Sequence, residues 1–311
     1  MRRDAIRPVR ATLLVAALVC GAVQLGAAQA ASDPPAYVLS VPATVRGFAL
    51  GDAGVALVGD AGAVFANPSG IATLSHIGLE GSYRRAPGDA YFATGALGWR
   101  LGQIDLGFAG RYFDFGPDPA PYFATPVDPG TRTREALGVA SVVFRYGMVA
   151  LGVSGKYARR SFGDQHERGL SADAGLAIAV FDIMALAFSV QNLGSNWREA
   201  SDLEMPRLTR LGFTMNYVDP QESFRLLTTL EMQWREGASS RAVIGGEAGV
   251  VLKGVGVIGR LAYGGATANL TDGGVTLGGS LQFGALSVDY AYRRRDLFDE
   301  PAHLIGARFT L

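Results

Sequence analysis

The chain has 311 residues, with 28 Lys and Arg balancing 28 Asp and Glu, 49% hydrophobic residues and 42 glycines. This balance excludes a basic nucleic-acid surface or a polybasic membrane patch, and the single cysteine, Cys20, excludes a disulfide framework or a cysteine metal site. Beyond residue 30 no apolar run reaches the roughly 18 residues of a membrane-spanning helix.

The chain opens with Arg2, Arg3, Arg7 and Arg10, an apolar stretch from Ala11 to about Leu25, and Ala28-Gln29-Ala30 before Ala31. Residues 1–30 read as a secretory signal peptide with an A-x-A cleavage site. The alternative, a retained helical anchor, would need about 20 apolar residues, and this stretch is shorter. Val19 stands where a lipoprotein site would place a small residue, so Cys20 reads as one more apolar position. Removing the leader takes away four arginines and one aspartate, which leaves 24 basic against 27 acidic residues and a net charge near −3.

Within residues 31–75, the stretch 42–75 is rich in glycine and has no regular alternation. Gly47, Gly51, Gly54, Gly59 and Gly62 permit close backbone approach. Asp60 is placed to cap a short helix through Val64, and Asn67-Pro68-Ser69-Gly70 is a turn signal.

From about His76 to Leu311 the chain breaks into segments of roughly ten residues in which alternate positions are apolar, the period of a strand with two unlike faces. Phe224, Leu226, Leu230, Met232 and Trp234 alternate with Arg225, Glu231, Gln233 and Arg235. Ile104, Leu106 and Phe108 likewise alternate with Asp105 and Arg111. About fourteen such segments are centred near residues 80, 95, 108, 140, 153, 174, 188, 212, 229, 247, 259, 279, 289 and 307. An even count of segments this long predicts an all-β fold, a transmembrane antiparallel barrel over 76–311. Tight connections near 101–102, 146–147, 181–182, 218–223, 253–254 and 284–285 alternate with roomier ones at 85–90, 115–133, 159–167, 192–206, 236–240, 265–273 and 294–302. That asymmetry predicts periplasmic turns, outer loops and both termini in the periplasm of a diderm bacterium. A soluble sandwich shows the same alternation with the faces exchanged. The number of strands, the export leader and the final strand His303, Ile305, Ala307, Phe309, Leu311 favour the membrane barrel, with Phe309 and Leu311 as an assembly signal. Its partners would then be outer-membrane lipid and the barrel assembly machinery.

The run Arg46-Gly47, then Leu50-Gly51-Asp52-Ala53-Gly54-Val55-Ala56, Asp60-Ala61 and Phe65-Ala66-Asn67-Pro68-Ser69-Gly70-Ile71-Ala72 resembles the N-terminal signature of the PorV/PorQ family. Gln191-Asn192-Leu193-Gly194 is similar to a motif at the end of a middle strand in that family. Ser69 and Leu50 stand where Ala and Met are usual. The resemblance implies the fourteen-stranded architecture of the FadL superfamily. It also implies that Asn67, Pro68, Ser69 and Gly70 belong to a hatch that plugs the barrel; an ordinary Asx-Pro turn is the simpler reading.

Only His76, His166 and His303 could supply an imidazole, and none has a metal-ligand companion or sits in a catalytic motif. No enzyme activity and no cofactor are therefore expected. His166 is the one tempting position, in a loop expected at Ser161 to Glu167. The inner face is expected to carry both charge signs, with Asp105, Arg111, Arg225, Glu231, Arg260 and Arg308 as a lumen network pairing across the barrel or against the hatch. Three functions follow: a PorV-like plugged barrel serving type IX secretion proteins, a FadL-like conduit for hydrophobic ligands, or an open porin. The conduit would need an apolar pocket, and Phe92, Phe113, Phe144 and Tyr146 are the inner-face candidates.

Overall fold

The computed structural model describes residues 36–117, 131–181, 183–194, 203–218, 223–265, 273–295 and 300–311. The expected leader at 1–30, and parts of the loops expected at 115–133, 192–206, 265–273 and 294–302, lie outside the described residues.

Fourteen antiparallel strands close into one barrel, each bonded to its sequence neighbours, with β14 returning to β1. They are β1 (Ile77–Arg85), β2 (Tyr91–Leu101), β3 (Ile104–Asp114), β4 (Thr133–Tyr146), β5 (Val149–Phe162), β6 (Gln165–Val180) and β7 (Met184–Leu193). The second half is β8 (Leu208–Val218), β9 (Phe224–Arg235), β10 (Arg241–Leu252), β11 (Val255–Gly264), β12 (Gly274–Phe283), β13 (Leu286–Arg293) and β14 (Ala302–Thr310). Every expected strand centre falls inside an observed strand. Closure engages the last residue, since His76 N donates to Leu311 O at 2.8 Å and Leu311 N donates to Ile77 O at 2.9 Å. The sheet therefore has no free edge, which a hydrocarbon environment requires.

Alternation sorts the side chains. On β9 Leu230 is 52% exposed on the outside while the next residue, Glu231, is 3% exposed inside. The outer face carries Leu, Val, Ile and Phe along all fourteen strands. Tyr146, Trp99 and Tyr217 lie toward the end of the short turns, and Tyr83, Trp234 and Tyr263 toward the opposite, loop end. Such an apolar belt between two aromatic girdles is the surface of a barrel solvated by lipid.

One expected loop is absent. Gly163 and Asp164 alone connect β5 to β6, with Phe162 paired to Gln165 and His166 paired to Ser161 in the ladder. Gly163 has φ +54°, the left-handed conformation that a two-residue hairpin turn needs. His166 is thus an exposed strand residue beyond the barrel wall, not part of a loop.

Residues 36–75 precede β1 and lie inside the barrel as α1 (Tyr37–Ser40), α2 (Val45–Ala49) and two 3-10 segments, Ala61–Phe65 and Pro68–Thr73. Thr44 caps α2, its hydroxyl accepting from Gly47 N at 2.9 Å. The buried core of the protein is the contact between this segment and the inner wall.

Candidate functional site: the hatch in its socket

Irregular backbone at membrane depth must find its hydrogen-bond partners within the protein. Here the inward side chains of the strands supply them. Glu231 Oε2 accepts from Val55 N at 2.8 Å, Glu80 Oε2 from Gly62 N at 2.9 Å and Glu135 Oε2 from Val38 N at 2.9 Å. In the other direction Gln191 Nε2 donates to Phe65 O at 2.6 Å, Ser189 Oγ to Ala66 O at 2.9 Å and Thr276 Oγ1 to Ala49 O at 3.0 Å. Arg111 donates to Val38 O and, at 3.3 Å, to Pro42 O.

Space for the segment comes from inward glycines. A Cβ on Gly175 would stand 2.0 Å from Asn67 Oδ1, one on Gly152 2.7 Å from Ser69 N, and one on Gly212 2.4 Å from Val55. Gly98 accommodates Leu74 and Gly278 accommodates Ala49 in the same way. The wall is moulded to this one occupant.

The motif Asn67-Pro68-Ser69-Gly70 is buried at the centre of this fit. Asn67 caps the Pro68–Thr73 segment, its Oδ1 accepting from Ser69 N at 3.0 Å and Ser69 Oγ at 2.7 Å. Its Nδ2 donates to Val55 O at 2.8 Å, tying together two stretches of hatch.

Only three residues of 36–75 are charged, Arg46, Asp52 and Asp60, and all three pair with the barrel. Asp52 meets Arg210 at 3.0 Å, and Arg210 also meets Glu231 at 3.1 Å. Arg46 and Asp60 complete a closed ring of six alternating charges. Arg46 to Asp60 is 2.6 Å, Asp60 to Arg308 2.5 Å and Arg308 to Asp289 2.8 Å. Asp289 to Arg260 is 3.1 Å, Arg260 to Glu247 2.7 Å and Glu247 back to Arg46 3.0 Å. Burial alone would raise the Asp60 carboxyl, but Arg308 and Arg46 outweigh it and hold the group well below the usual carboxylate range. The expected helix cap at Asp60 is not formed: the Ala61–Phe65 segment follows it without a side-chain cap, because Arg46 and Arg308 each take one of the two carboxylate oxygens.

The six expected lumen charges all point inward but belong to separate groups. Arg260 and Arg308 share Asp289; Glu231 and Arg111 hold hatch backbone. Asp105 pairs with Arg145 at 2.7 Å near the turn end, away from the hatch. Arg225 makes no hydrogen bond or ion pair among the described residues. The expected network names none of the hatch's own charges, Arg46, Asp52 and Asp60, although they stand out as the only charges of residues 36–75.

The expected apolar pocket exists only in part. Phe92 and Phe113 stack inside at 3.6 Å between ring centroids, and Phe115 lies 4.1 Å from Phe113. Tyr37 of α1 meets Phe113 and Phe115 edge-on at 5.8 and 5.6 Å, so hatch side chains fill this loop-end cluster. Phe144 and Tyr146 are on the outer face instead, 47% and 76% exposed. The β4 positions that face inward, Leu137, Val139 and Val143, are apolar too because they meet the hatch, which hides the alternation there.

At the turn end the lumen opens into a cavity of about 520 Å³, floored by hatch residues including Val58, Asp60 and Ser69.

No family model and no curated protein matches the sequence. Among solved structures, the toluene transporter TodX of Pseudomonas putida is 10% identical, covering 90% of this chain and 98% of its own with a TM-score of 0.55. The CymD monoaromatic hydrocarbon channel is 11% identical, with 87% and 97% covered and a TM-score of 0.57. At such low identity these likenesses establish the fold alone, a closed antiparallel barrel of fourteen strands.

Proposed function

We propose that this protein is an outer-membrane channel that admits small apolar molecules, with both termini in the periplasm and residues 36–75 as its hatch. The observation that carries this reading is the aromatic cluster of Phe92, Phe113 and Phe115 at the loop end, where the hatch's own Tyr37 occupies an apolar site inside the barrel. An incoming apolar molecule competes with Tyr37 for these rings. The shared fold with hydrocarbon channels supports the same reading. The test is uptake of the apolar fluorophore N-phenyl-1-naphthylamine by cells with and without the barrel. Faster entry with the barrel supports the conduit, and equal entry refutes it.

The resemblance of residues 46–72 to the PorV/PorQ signature, together with the filled lumen, favours a second reading, a plugged barrel that holds secreted proteins. In that case deletion would deplete surface proteins and leave uptake unchanged.

A further inference from the structure

The turn-end cavity has two chemically different sides. Val58 and Ala72 of the hatch, with Ala150 and Ala177 of the wall, make one side apolar. The other presents Arg46, Arg260 and Arg308, whose charges are neutralised within the ring by Asp60, Glu247 and Asp289, and then Arg225. Arg225 points inward from the first turn-end position of β9 that faces the lumen, paired in register with Gly249. It has no hydrogen-bond or ion-pair partner among the described residues. The fifth arginine of the lining, Arg145, is paired with Asp105 at 2.7 Å, while Glu80 does not line the cavity and is engaged by Gly62 N at 2.9 Å. The lining therefore carries one guanidinium fork with nothing to grip, set beside a neutral ring and opposite an apolar wall. A planar fork is matched by a carboxylate, and a cavity of about 520 Å³ suits a compact organic molecule.

We propose that this cavity binds a monocarboxylic acid with a compact apolar body, its carboxylate on Arg225 and its body against the alanine-rich wall. The site does not depend on passage through the barrel, because it opens at the turn end below the hatch.

The experiment uses the mature protein in a non-ionic detergent and measures binding of 2-naphthoate and its neutral isostere 2-naphthamide by fluorescence, with empty micelles subtracted. The expected result is at least tenfold tighter binding of the acid. Arg225→Gln should bring the two ligands within about twofold of each other while leaving the amide unchanged. Arg85→Gln, on the exposed loop-end rim, should keep the full preference. Heat-modifiable migration on gels verifies that each variant is a folded barrel. Equal binding of acid and amide to the unaltered protein, or a preference that survives Arg225→Gln, overturns the proposal. Displacement of naphthoate by millimolar inorganic phosphate as readily as by benzoate overturns the apolar half of the site.

Discussion

Arg46 and Glu247 lie 201 residues apart in sequence and are joined by two hydrogen bonds, Nε to Oε2 at 3.0 Å and Nη2 to Oε1 at 3.3 Å. This bidentate pair fixes the start of the hatch to the middle of β10, and through the ring it shares charge with β11, β13 and β14. Both side chains are buried; Glu247 is partly compensated from the wall by Arg260, while its pairing with Arg46 exists only with the hatch in place.

Glu247→Gln should therefore loosen the hatch without opening the barrel. Breaking one member of a buried pair costs about 3 to 5 kcal/mol, and the low end applies because Arg46 keeps Asp60 and Arg260 keeps Asp289. Limited proteolysis should cut within residues 36–75 faster in the variant while the strands stay protected. Adding Arg46→Gln should cost less than its own single effect, since contacting partners are non-additive. Strictly additive effects would show that the pair does not couple hatch to wall.

The glycine socket makes a second prediction. Gly175→Val places a side chain where Asn67 Oδ1 stands, the Cβ alone falling 2.0 Å from it. Gly155→Val adds the same bulk on the outer face, where nothing lies within 4 Å. The first should expel the Asn67–Gly70 turn and expose the hatch to protease; the second should leave protection intact, since valine suits a strand. Equal sensitivity of the two variants would mean that the socket does not hold the turn.

Much of this arrangement is legible in the sequence because two faces of each strand meet two unlike media. Alternation placed all fourteen strands, and charge placed Asp105, Arg111, Arg225, Glu231, Arg260 and Arg308 inward. Partner choice was not legible. Arg260 on β11 and Arg308 on β14 converge on Asp289 only because the wall curves and β13 lies between them. The fate of Asp60 was hidden for a related reason: a local capping preference is visible in sequence, whereas two arginines brought from elsewhere are not. Where the hatch is apolar, the strand facing it becomes apolar on both sides, so alternation alone places Phe144 and Tyr146 of β4 on the wrong face.

The lipid face can be tested apart from the hatch. Leu230 lies midway along β9 and points outward, so Leu230→Arg should cost about 2 to 4 kcal/mol of barrel stability, as a cation near the bilayer midplane does. Urea unfolding in lipid vesicles would measure it. Glu231→Ala, one residue on, should act differently, freeing Val55 N and weakening the hatch. Identical phenotypes from these neighbours would contradict the assignment of faces.

The last prediction concerns conduction. Residues 36–75 fill the lumen through bonds from at least six strands, and their three charged side chains all end on the wall. The intact mature chain should consequently be silent in planar bilayers, apart from brief openings. A chain beginning near Ser75 removes the hatch but keeps His76 N and Ile77 N bonded to Leu311 O, so the barrel can still close. Deletion also strips Arg210, Glu231, Glu247 and Arg308 of their hatch partners, but in an open lumen water replaces those partners. A steady conductance should appear, with the ring residues Arg260 and Asp289 now exposed to the passing ions. Large steady current from the intact chain would show that the hatch is no plug. Silence from a truncated chain that still migrates as a folded barrel would show that something other than residues 36–75 closes the lumen.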